Sequence, residues 1–121
     1  MRVLVWVALS LALVAIFAGC SSAAPTARPD LAGQITQQLN DDFGSSGDTS
    51  WYAHIRNVGV VGDTLVIDTD VESLHSIATE ICSGASNYVF SNVADPSLRA
   101  LEVRSATGTL LVRRDSVEDR C

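Results

Sequence analysis

The chain has 121 residues and carries eight Arg, no Lys and fourteen Asp and Glu, a net charge of −6. An acidic surface with no Lys excludes a phosphate-tracking nucleic-acid binder and gives no polybasic means of adsorbing to anionic lipid. Three cysteines and about 90 residues of globular character bound the rest to one small domain whose core would gain from a covalent staple.

Chain order begins with a single Arg2, an apolar run from Val3 to Ala18 broken only by Ser10, and then Gly19 and Cys20. A short charged start, an apolar middle and a small-residue exit are the layout of a secretory signal peptide. Sixteen residues fall short of the roughly 20 needed to cross a bilayer core, and the uncharged Ser21–Ala27 stretch supplies no stop-transfer cluster. Phe17-Ala18-Gly19-Cys20 resembles the lipobox of bacterial lipoproteins, with Phe17 where that family has Leu, Val or Ile. The resemblance implies cleavage between Gly19 and Cys20 and a thioether-linked diacylglycerol on Cys20. It also implies an extracytoplasmic, membrane-anchored location. Two or three acyl chains suffice for durable anchoring, at about 0.8 kcal/mol per buried CH2.

Residues 1–19 are thus read as the signal, 20–29 as the lipidated Cys with a polar, Pro-containing tether, and 30–121 as the domain. Cleavage leaves seven Arg against fourteen acids, a net charge of −7. With Cys20 acylated, Cys82 and Cys121 remain as a pair in an oxidising compartment, and a disulfide between them is expected.

Within the domain, Asp30 is placed to cap a helix whose Leu31, Ile35, Leu39 and Phe43 recur every four residues. Gly44–Asp48 ends it. Trp51 to Val61 is β-prone, Gly62-Asp63 reads as a two-residue hairpin turn, and Thr64 to Val71 follows. In that second strand Leu65, Ile67, Thr69 and Val71 are expected to be buried, opposite a wetter Val66, Asp68 and Asp70. From Glu72 the period changes: Leu74, Ile77, Ala78, Ile81, Ala85, Tyr88 and Val89 mark a second helix. Asp95-Pro96 breaks the chain, and Leu98–Arg104 and Thr109–Arg114 form a second hairpin around Ala106-Thr107-Gly108. The expected fold is α+β in the order α-β-β-α-β-β, a small antiparallel sheet with both helices on one face.

This order, with Val60–Ile67 ahead of the second helix, is similar to the BON domain of envelope proteins, a family linked to phospholipid or envelope binding. Asp68-Thr69-Asp70 stands where BON sequences usually place a small residue. Gly62-Asp63-Thr64-Leu65 and Asp68-Thr69-Asp70, then a helix with Ile81-Cys82 and a later Leu101, Val103 and Leu111-Val112, also resemble the pattern of small secreted or lipidated proteins of high-GC Gram-positive bacteria or their phages.

Candidate chemistry is sparse. Asp68, Asp70 and Glu72 have a spacing that could hold Ca²⁺ weakly, but no glycine-containing loop completes a site, and a solvated strand face with a helix N-terminus is the simpler account. His54 and His75 are the only histidines and have no zinc-ligand spacing around them. No Gly-x-Ser-x-Gly or Ser-x-x-Lys pattern occurs, so Ser83-Gly84 and Ser45-Ser46-Gly47 read as ordinary helix-surface and turn sequence. Trp51-Tyr52 is a candidate partner contact, and Arg113-Arg114 a charged strand edge that deters aggregation. The expectation is a non-catalytic binding domain with no metal or cofactor, held to the membrane through Cys20 and facing an envelope protein or lipid. A phage-encoded superinfection-exclusion lipoprotein is a second reading. A small hydrolase or metal-dependent enzyme is a third, which would require His54 or His75 to meet a carboxylate.

Overall fold

The computed structural model describes residues 26–45, 51–73, 76–92 and 95–121. The signal segment, Cys20, most of the tether, Leu74 and His75 lie outside the described residues. The elements run α1 (Pro29–Phe43), a 3₁₀ turn (Tyr52–His54), β1 (Ile55–Val61), β2 (Thr64–Thr69), α2 (Ser76–Asn92), β3 (Ala100–Arg104) and β4 (Leu110–Arg114). This is the expected α+β order.

The strands form one sheet in the order β1-β2-β3-β4. β1/β2 and β3/β4 are antiparallel hairpins, but β2 and β3 run parallel, so the sheet is mixed where a wholly antiparallel one was expected. The cause is the α2 connection: a helical crossover returns the chain to the same end of the sheet, which a tight turn cannot do. β3 takes the interior position because Leu101 and Val103 are fully buried, whereas β4 carries Arg113 and Arg114 and suits an edge.

Both helices cover the same face. Leu31, Ile35 and Leu39 of α1 join Ile81, Ala85 and Val89 of α2 over Val58, Val60, Leu65, Ile67, Leu101 and Val103 in one core. α1 packs chiefly on β1, and α2 on β3 and β4. Thr69, also buried, donates its hydroxyl to the Arg104 carbonyl and accepts the Val71 amide, so its polarity is satisfied. Val66 is buried too, at 6% exposure, on the face expected to be wet. It lies between Gly59 and Glu102 in the ladder, and Glu102 is held there by ion pairs to Arg104 and Arg113.

Three boundaries differ from the sequence reading. Asp30 does not cap α1: Arg28 is the N-cap and Pro29 opens the helix, where its missing N–H would have no partner in any case. Asp30 sits instead in the first turn, favourable for the helix dipole. Trp51–His54 leaves the strand to make a 3₁₀ turn, and the register of β1 shifts between Ile55 and Asn57. Glu72 is an exposed loop residue, since the described part of α2 begins at Ser76.

Candidate functional site

The domain takes hold of the chain before α1. Ala27 bridges to Val61, the Arg28 amide donates to the Val60 carbonyl (2.8 Å), and the Gly62 amide to the Thr26 carbonyl (2.9 Å). Thr26–Arg28, read from sequence as the end of a tether, is therefore a short antiparallel addition to the edge of β1. The Arg28 guanidinium fixes it further, reaching the Asp95 carboxylate at 2.8 Å and the Ser97 hydroxyl. Asp95 is held below the usual carboxylate range, first by the Ser97 hydroxyl and amide and then by Arg28.

Beyond Arg28 the chain lifts into α1, and a groove of about 720 Å³ opens between the helix and the β1 edge. Its walls are Ala32, Gly33, Thr36, Gln37 and Asn40 on one side and Asn57–Val61 on the other. Gly33 and Gly59, one on each wall, have open space where a Cβ would stand. The Thr36 hydroxyl is spent on the Ala32 carbonyl, the Asn57 amide donates to Asp68 and Asn40 Oδ1 accepts from Tyr52, leaving the Gln37 amide and the Asn40 NH2 as the groove's uncommitted side-chain groups among the described residues. A trough with an apolar floor and an amide rim has the makeup of a recognition surface. Sequence reasoning missed it. The available signals were an isolated glycine on a helix surface and another within a strand, both of which mark close approach or empty space.

The predicted site residues distribute as follows. Cys82 and Cys121 form the disulfide, with S–S 2.02 Å and Cα–Cα 5.8 Å across 39 residues. Trp51 and Tyr52 are half-buried in a cluster with Phe43 and Tyr88, where Phe43 meets Trp51 at 5.1 Å and Tyr88 at 5.0 Å, both edge-on. Trp51 stacks against α2 at Gly84: a Cβ there would come within 2.7 Å of the indole. These rings join the end of α1 to α2, so packing accounts for much of the surface that the sequence offered to a partner.

Asp68 and Asp70 do not converge. Asp68 accepts from the Asn57 amide, while Asp70 accepts from His54 Nδ1 at 2.7 Å and pairs with Arg56. Among the described residues no group of three His, Cys, Asp or Glu is placed to hold a metal ion. His54 lowers the Asp70 pKa, with Arg56 adding to the effect. The histidine–carboxylate pair required by an enzyme thus exists at His54–Asp70. The serine of the adjoining depression, Ser105, is only 2% exposed and accepts the Thr107 and Thr109 amides, so its hydroxyl is committed to the β3–β4 turn.

Among the described residues no helix is long and apolar enough to cross a membrane. No protein-family model matches the chain, and neither a curated protein nor a solved structure matches it.

Proposed function

We propose that this chain is a lipid-anchored extracytoplasmic envelope protein whose small, non-catalytic domain binds a partner in the α1/β1 groove close to the membrane face. The observation that carries the reading is the Cys82–Cys121 disulfide. A structural disulfide belongs to an oxidising compartment, and it leaves Cys20, at the end of a lipobox-like sequence, as the one cysteine outside the bond. Cys20 and Thr26 are six residues apart, at most about 20 Å of extended chain. The groove begins beside Thr26–Arg28, so anchoring at Cys20 keeps its mouth near the bilayer.

The test is Cys20→Ala. The wild-type chain is expected to partition into detergent and to carry the added mass of a diacylglycerol. The variant is expected to remain as unprocessed precursor or leave the membrane. Unchanged partitioning and an unmodified Cys20 in the wild type would remove the anchor from the proposal.

A further inference from the structure

We propose that the α1/β1 groove is a strand-addition site, in which an extended, uncharged polypeptide segment pairs with the free main chain of β1 at Val58. The inference rests on the binding reading above and is independent of the lipid.

The vacancy is one of backbone hydrogen bonds. The Val60 carbonyl accepts from Arg28, so Val60, and with it Val58 two residues earlier, faces away from β2, while Gly59 and Val61 face their β2 partners Val66 and Thr64. Thr26–Arg28 uses the end of this edge, then Pro29 turns the chain upward and the pairing stops. The Val58 N–H and C=O and the Val60 N–H meet no partner among the described residues. The molecule's own chain thus demonstrates the mode of binding one step along the same edge.

The two sheet edges are also built differently. β4 presents Arg113 and Arg114, the charges that natural edges use against unwanted pairing. The open stretch of β1 presents Asn57, Val58 and Gly59, and the cations that flank it, Arg28 and Arg56, are paired with Asp95 and Asp70. The protection of this edge sits at its ends, in the register shift between Ile55 and Asn57 and in the Thr26–Arg28 pairing before Pro29, and the stretch between them lies open in the groove beside α1.

The occupant follows from the walls. Donor and acceptor groups at strand spacing are matched by polypeptide and by nothing apolar alone. A second copy pairing edge to edge about a two-fold axis at Val58 would meet Thr26–Arg28, which already occupies the Val60–Gly62 end. The occupant these donor and acceptor groups select is an extended segment of a partner protein. Gly33 leaves room for its side chains beneath α1, and Gln37 and Asn40 offer amide contacts without charge selection.

The experiment titrates the full ¹⁵N-labelled chain in detergent micelles with a capped Ser-Val-Thr-Val-Thr-Ser peptide. The Val58 and Val60 amide resonances are expected to move and their hydrogen exchange to slow. N-methylation of the peptide's two valines, which removes donors and keeps apolar area, is expected to weaken binding about tenfold or more. Gly33→Leu, filling the groove from an exposed helix position, should weaken it similarly without lowering Tm. Absence of shifts at Val58 and Val60 at about 1 mM peptide would overturn the proposal. So would equal binding of the N-methylated peptide, which would mark the groove as merely apolar and open to an acyl chain. A photo-crosslink from position 37 to an envelope component alongside a failed titration would leave the binding reading standing and strand addition refuted.

Discussion

The two halves of the domain share one plan, helix then hairpin, and close in opposite ways. In the second half α2 is fastened to the chain's end by Cys82–Cys121, and Arg114 donates to Ser86 of α2 while lying over the Phe90 ring at 5.3 Å. A ladder of Glu102, Arg113 and Asp115 covers the far face of the β3–β4 hairpin. In the first half α1 packs chiefly on the edge strand β1, has no disulfide among the described residues, and stands beside a groove with glycine on both walls. The second half is tied by a disulfide and by Arg114, while the first leaves a groove open beside its edge strand. A domain of this size thus concentrates its covalent and ionic ties in one half and leaves its groove in the other.

That contrast can be broken most severely at the staple. Replacing Cys82 and Cys121 together with Ala should cost about 4 kcal/mol by the loop-closure estimate for 39 residues. At this size that lowers Tm by roughly 15 °C or more, measurable by calorimetry. A shift of only a few degrees would mean the second half is held mainly by packing.

A single substitution made in both helices sharpens the comparison. Gly84→Ala in α2 drives a methyl into Trp51 and should destabilise by about 1–3 kcal/mol, with a change in indole fluorescence. Gly33→Ala in α1 meets nothing within 4 Å and should stabilise by up to about 1 kcal/mol through helix propensity. Opposite signs in denaturant unfolding are the expected outcome; equal losses would mean the groove is as tightly built as the α2 packing.

The smallest effect concerns the His54–Asp70 pair at the sheet's end. Asp70 titrates below its ordinary 3.8 because His54 and Arg56 favour its charged form. A depressed carboxylate contributes stability above the unfolded value, and that contribution fades as pH falls through the lowered folded value. His54→Ala should therefore raise the Asp70 pKa toward 3.8 by NMR titration and leave stability near neutrality almost unchanged, as expected for an exposed pair. An unmoved Asp70 would assign its shift to Arg56.

What was legible in the sequence was whatever periodicity and parity encode. The four-residue recurrence of Leu31, Ile35 and Leu39 and the alternation of Leu65, Ile67 and Thr69 became the buried faces of α1 and β2. An even pair of cysteines became a disulfide. Gly62 with positive φ made the expected hairpin turn. The Trp51–His54 turn was not legible, because aromatic residues favour strands until a partner such as Gly84 offers the indole a better place. His54 and Asp70 are sixteen positions apart, and no local pattern announces their contact.

The sequence by itself determined the α-β-β-α-β-β order, the core faces and the cysteine arithmetic, since each depends on residues a few positions apart or on a count. Tertiary structure alone decided that β2 and β3 run parallel, that Val66 is covered from the far face, and that Thr26–Arg28 joins the edge of β1. It also decided that a groove remains beside that edge. These are properties of which elements become neighbours, and chain distance carries no record of a hydrogen bond left unmade.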